Sequence, residues 1–425
     1  MSSLNRALFI PTNRECISTI KSCIEEIDHA KFKFNLSIPL FIMDESESHS
    51  QKKNLEFTRE LAKTNKNLTV IHLTRDQQKE IINFNLESCT DNARNEILAY
   101  LFPSGSSYTA VANRAFIIFS MLGISFIHRR DSDTKIQKVD NKLIFPISEE
   151  VEQSESNYFN GKKKFENLNS HPYIIGGGYI GDWPIDLMDL YDENPELVYS
   201  FIHLSNPKLD RDFIVDYVEN NIVIKCSTKF DHDAIQLGKG NFPEVGNYCL
   251  KDLHKYIPFA PSTGTSALDY LHHRILSALD SPIIAHNRSV VHRHSAERKT
   301  VESQIPYHRG LIKYRMINSF YNGALRSLAA TGNIKIEDIA LALKGALEKE
   351  ITKNHKIEKI GEEAVNIYEK STNHKYNLIS DKIREELENL ATEVKREVIA
   401  HCNILSYWSD ISMVNDRVDI ARYKI

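Results

Sequence analysis

Residues 123–136 read GISFIHRRDSDTKI, and their chemistry lies in Asp131 and Asp133 on either side of Ser132. In an extended segment residues i and i+2 face the same side, so these two carboxylates are expected to converge on one point. Convergent carboxylates suit a hard cation such as Mg²⁺ or Mn²⁺. The competing reading is a polar loop after a strand, because Asp and Ser also close turns through their own backbone.

A second group lies in GTSALDYLHHRILSALDSPIIAHNRSVVHRHSAER (264–298). Asp269 opens a helix carrying His272, His273 and Arg274, the apolar PIIA follows as a strand, and His292 and His294 alternate on an extended segment so that both face one way. Histidine is a good ligand for Mn²⁺-like ions when carboxylates already hold part of the shell. Alone, this group reads as a solvated polar edge. Together with Asp131 and Asp133 it offers a further metal ligand.

These residues need elements to hold them. RALFIPT reads as a strand closed by Pro11, and CISTIKSCIEEI sets Cys16, Ile20, Cys23 and Ile27 at amphipathic-helix spacing. SIPLFIMDES, KKNLEFTRELAKT and NLTVIHLT continue as strand, helix and strand. That alternation predicts an α/β fold with a mostly parallel sheet, right-handed crossovers and ligands at the carboxyl ends of the strands. Residues 76–110 are less regular, AVANRAFIIFSMLG reads as a buried helix stopped at Gly123, and ISFI is a strand feeding HRRDSD. From 137 to 300 the pattern is mixed, with strands expected at KLIFPI, PYIIGG, LVYSFIHL and NIVIKC and a polar loop at EEVEQSESNYFNGKKK. The last part is helical, with Ile383, Leu387, Leu390, Val394 and Val398 on one stripe. Three regions follow: 1–136, 137–305 and a helical extension 306–425 that serves as an all-α cap, a homodimer surface or an acceptor-docking module.

The composition suits an enzyme-sized globular protein. The 425 residues are 41% hydrophobic and 26% charged, with a net charge of −4, so there is ample core and no electrostatic case for nucleic acid. Six dispersed cysteines without a C-x-x-C pair indicate neither a zinc ribbon nor a disulfide framework and fit a reducing interior. The N-terminus lacks a long apolar signal region and the longest apolar run, 115–127, is too short to span a bilayer. A cytoplasmic protein without a transmembrane segment is expected, with peripheral membrane contact left open.

In order, these motifs resemble the GT-A glycosyltransferases, the nucleotide-sugar-dependent enzymes of which family 2 is the largest group. ALFIPTNRE looks like that family's first strand and donor loop, LFIMDESES like its second strand, DSD like its metal-binding D-x-D, GTSALDYLHHRI like its acid-bearing acceptor segment, and VVHRHS like its strand-end histidine. The resemblance covers residues 5–300 and implies a GT-A-like domain. It implies donor contacts from Pro11, Thr12, Asn13, Arg14 and Asp44, and a metal and diphosphate site at Asp131 and Asp133. It further implies Asp269 as general base and His292 or His294 as third ligand to Mn²⁺ or Mg²⁺. The acceptor would be a peptide, a small metabolite or a glycan. Here HRR intervenes before the acidic motif: Arg129 and Arg130 stand either beside the diphosphate, where Arg130 is carried forward, or at the surface, the reading preferred for at least one of them. Asn113 and Arg114 are the counterpart of the family's A-R-N, with Arg114 toward the donor and 84–110 as an insertion. GGGYIG (176–181) formally satisfies a dinucleotide fingerprint, but DWP follows where a helix should begin, and Pro184 favours a start only there. Its glycines are expected either to bend the backbone beside the sugar or acceptor, with Asp182 and Trp183 lining that pocket, or to form a plain turn. The rivals are a nucleotidyltransferase on a similar sheet and a non-catalytic interaction protein.

Overall fold

The run RALFIPT is buried at every position and forms β1 (Arg6–Thr12), which requires a place inside a sheet covered on both faces. The structure, a computed structural model, describes residues 5–65, 68–105, 107–155, 158–159, 162–163, 172–181, 187–205, 210–219, 235–237, 243–265, 267–293, 300–332, 334–353, 356–412 and 419–425. After β1 come α1 (Ile17–Phe34), β2 (Leu40–Asp44), α2 (Ser48–Thr64), β3 (Val70–Thr74), α3 (Arg75–Asn85), α4 (Asp91–Leu101), α5 (Tyr108–Met121) and β4 (Phe126–Arg130). The middle holds β5 (Thr134–Val139), β6 (Lys142–Ile144), α6 (Pro146–Glu155), the hairpin β7 (Tyr158–Phe159) and β8 (Lys162–Lys163), β9 (Tyr173–Gly176) and β10 (Tyr179–Gly181). It continues through α7 (Met188–Glu193), α8 (Pro195–His203), α9 (Arg211–Val218), β11 (Ile235–Leu237), β12 (Asn247–Lys251), α10 (Leu253–Tyr256), α11 (Leu271–Ala278), β13 (Ile283–His286) and β14 (Val290–His292). Helices α12 (Val301–Thr331), α13 (Ile339–Thr352), α14 (Ile357–Glu369), α15 (His374–Arg384) and α16 (Leu387–Ser412) complete the chain.

The large sheet has eight strands in the order β11-β13-β9-β12-β4-β1-β2-β3. β1 runs parallel to β2 and β4, and β3 parallel to β2. The expectation of a mostly parallel sheet is corrected beyond β4, because β12 is antiparallel to both β4 and β9 and β11 is antiparallel to β13. The fold is therefore α/β with a mixed sheet. An antiparallel strand starts at the end where its neighbour finishes, so the turn before β12 adds its backbone to the edge of the sheet at which β4 ends. A second sheet, β10-β14-β5-β6, stands beside that edge.

Strand alternation divides the core. Leu8 and Ile10 join Ile20, Ile24 and Val151 on the side of α1 and α6, while Ala7 and Phe9 face α5 and belong to a cluster that continues into the C-terminal helices as far as Trp408 and Ile411. The stripe of Ile383, Leu390, Val394 and Val398 lies in that same core, so its residues pack within the chain and are not available for the homodimer surface expected of them.

Several local expectations change. LVYSFIHL lies in α8, started by Pro195 and an N-cap at Asn194 whose side chain accepts from Glu196 N (3.1 Å). The irregular 76–110 contains α3 and α4, capped by Thr74 and Thr90. The front of EEVEQSES belongs to α6. NIVIKC, Asp182, Trp183, Pro184 and His294 lie outside the described residues. Among the described residues no helix is long and apolar enough to cross a membrane.

Candidate functional site

The strand predicted to end at Ile127 runs through HRR to Arg130, and both arginines are buried, at 2% and 1% exposure. This overturns the expectation that at least one lies at the surface. Consecutive residues on a strand point to opposite faces. Arg130 turns toward α1 and α6, where it pairs with Glu26 (2.7 Å) and Glu150 (3.0 Å), and His128 adds a contact to Glu150. Arg130 is thus locked in the interior and not placed to meet a diphosphate. Arg129 points to the other face and joins two carboxylates, reaching Asp131 at 2.8 Å and Asp269 at 3.2 Å.

Asp131–Thr134 is a tight turn, closed by Thr134 N–H to the Asp131 carbonyl (3.0 Å), so the alternation of an extended strand does not apply there. Asp131 accepts from Arg129 Nε (3.0 Å) and Tyr179 Oη (2.7 Å). Asp133 instead meets Arg14 Nη1 (3.2 Å) and His292 Nε2 (3.4 Å). The second sheet makes the latter contact, since β14 pairs with β5 in a register that sets His292 opposite Thr134. Tyr179 stacks on His292 with ring centroids 4.9 Å apart. Gly246, in the turn before β12, approaches so closely that a Cβ there would meet both the Tyr179 hydroxyl and the Asp131 carboxylate.

Asp269 lies in a 3-10 turn, Leu268–Tyr270, that leads into α11 and is buried at 7% exposure. Burial pushes its carboxyl up to about 6, with Arg129 opposing and Asp131 reinforcing the rise. Arg129 is held above its ordinary range, because Asp131 and Asp269 outweigh the effect of burial.

The donor-side residues divide. Asn13 is exposed and Arg14 half-buried, whereas Pro11 and Thr12 are buried, with the Thr12 hydroxyl bonded to the Arg14 carbonyl (2.8 Å). Asp44 is fully buried and bonded by Ser46 N–H, Asn54 Nδ2 and His72 Nε2 at 2.8, 3.1 and 2.8 Å. Arg114 is also fully buried, against Glu45, Gln78 and the Leu101 carbonyl. Asp44 and Arg114 are therefore corrected from donor contacts to buried residues that brace the segment after β2 against α2, β3, α3 and the end of α4. Asn113 does the same for the chain after β12, through both polar groups of the Phe259 backbone. Sequence reasoning missed Tyr179, and of the two arginines it weighed beside the diphosphate it carried forward Arg130 and not Arg129. The alternation of β4 could have assigned Arg129 a buried face, but nothing local in GGGYIG indicates that its tyrosine reaches Asp131.

The described residues contain no group of three or more His, Cys, Asp or Glu placed to hold a metal ion. The pair Asp133 and His292 still fits a divalent ion that takes the rest of its shell from phosphate oxygens and water, as Mg²⁺ commonly does. Asp131 is held through its two oxygens by Arg129 and Tyr179, as Asp133 is by Arg14 and His292.

The family DUF6271, described as a family of unknown function, matches residues 5–424. The chain belongs to the DUF6271 family. No curated protein matches this DUF6271 chain. Among solved structures it is similar to the mannosyltransferase PcManGT from Pyrobaculum calidifontis, in complex with GDP-Man and Mn2+, at 12% identity over 93% of this chain and 85% of that one, with a TM-score of 0.35. A likeness so distant leaves the functional reading of this DUF6271 protein to rest on its own site.

Proposed function

We propose that this protein is a glycosyltransferase that moves a sugar from a nucleotide-diphosphate donor to an acceptor hydroxyl on a peptide, small metabolite or glycan. The observation that carries this reading is the convergence of the acidic turn and Asp269 on Arg129, beside the end of β4. Asn13 and Arg14, with the backbone of Pro11 and Thr12, form the donor side. Arg14 orients Asp133 and adds a cation where phosphate charge gathers. A divalent ion held by Asp133 and His292 would supply Lewis-acid stabilisation of the leaving diphosphate. Asp269, raised to about 6, is poised near neutrality as the base that takes the acceptor proton. Arg129 ties Asp269 to Asp131, and Tyr179 fixes Asp131 in turn.

The test is thermal stability of wild type and Asp133→Asn with UDP, GDP and dTDP, each with Mn²⁺ and with EDTA. One nucleotide should stabilise the wild type only with metal and leave the variant unmoved. Absence of a shift with every nucleotide overturns the reading, and turnover of a nucleoside triphosphate would replace it with nucleotidyl transfer.

A further inference from the structure

At the β3 edge of the large sheet, residues 420–425 fold back on the strand: Lys424 bridges Ile71, and Ile425 N–H donates to the Val70 carbonyl at 3.0 Å. Between this segment, α2 and the start of α3 lies a cavity of about 450 Å³, within the size range of small-molecule sites. Its lining includes Arg59, Lys63, Lys424, Tyr423, Leu55 and His72.

Arg59 and Lys63 are one turn apart on α2, where like charges repel unless an anion lies between them. Among the described residues, Arg59, Lys63 and Lys424 have no carboxylate within ion-pair distance; the neighbouring cations Lys53 and Arg422 pair with Glu15 and Glu80. Thr74 and Gln77, also at the cavity, are engaged with each other in the cap of α3. A second observation is independent of the cations. His72 is 4% exposed and fixed through Nε2 to Asp44 (2.8 Å), while its buried Nδ1 has no hydrogen-bond partner. A buried ring nitrogen left without a partner is costly, and imidazole offers it as an acceptor when neutral or a donor when protonated. A ligand that presents both hydroxyl and anionic oxygen satisfies either form.

We propose that this cavity binds a small organic phosphate, with the phosphoryl group between Arg59, Lys63 and Lys424 and a ligand oxygen completing His72 Nδ1. The site is separate from the one around Arg129 and does not depend on the transferase reading. Calorimetric titration of the full chain with ribose 5-phosphate and with inorganic phosphate tests it. The sugar phosphate should bind saturably, more tightly than phosphate, and the exposed pair Arg59→Ala/Lys63→Ala should weaken it at least about tenfold. Arg14→Ala, which removes a cation from the other site, should leave this binding intact. No saturable binding up to about 10 mM, or binding lost in Arg14→Ala and kept in the double variant, overturns the proposal.

Discussion

Asp269 is held between opposing influences, burial and Asp131 raising its carboxyl and Arg129 lowering it. If it removes the acceptor proton, transfer requires the ionised form, so kcat/KM should rise with pH to a plateau above about 6, the value set by that balance. Arg129→Gln takes away the lowering influence, so the midpoint should move upward; an unmoved midpoint would dissociate Asp269 from the base role. Stability runs in the opposite sense. A carboxyl whose folded value lies above its unfolded one favours folding below about 4, and that contribution is lost as pH rises to about 6. Asp269→Asn should therefore abolish transfer while leaving Tm at pH 7 equal to or above that of wild type. A large fall in Tm at pH 7 would show a structural role instead.

At the scale of elements, β4 delivers adjacent arginines to opposite sides of the sheet, one into the interior network of α1 and α6 and one into the site. The turn before β12 closes over the same point, with Asp131 N–H donating to the Gly246 carbonyl at 3.2 Å. Gly246→Ala would place its Cβ against the Tyr179–Asp131 hydrogen bond. The side chains can give way, so the stability cost should stay within about 1–3 kcal/mol, while activity falls further than stability accounts for. Urea denaturation and transfer rates measured together separate the two effects. The misreading of LVYSFIHL also belongs to this scale. Its Val, Tyr, Phe and Ile content suits a strand, but Asn194 and Pro195 start a helix whose buried residues Leu197, Val198, Phe201 and Ile202 follow helical spacing.

Across the whole molecule, the C-terminal helices are bound into the sheet domain. Trp408 is fully buried in the large core and donates through Nε1 to the His254 carbonyl (3.0 Å), and Asn85 reaches the Ile411 carbonyl (2.6 Å). Trp408→Ala should cost about 3–5 kcal/mol and lower the midpoint of a single urea transition, because the core it leaves is common to both parts. Two transitions, with only one displaced, would mean that the helices unfold independently.

From the sequence alone came the elements with a strong local signal: β1, α1, β2, α2 and β3 in order, α5 stopped near Gly123, and the amphipathic stripe of the last helices. It also singled out Asp133, Asp269 and His292 as candidates, because residue type and position relative to strand ends are local properties. Tertiary structure alone decided which groups meet. Arg129 and Asp269 are 140 residues apart, and Arg14 and Asp133 are 119 apart, so no spacing in the chain records their pairing. The same holds for the reversal at β12, the burial of Asp44, Arg114 and Arg130, and the arrival of Tyr179 at Asp131. Periodicity encodes which face of an element is apolar, whereas the partner of a buried charge depends on sheet order and register.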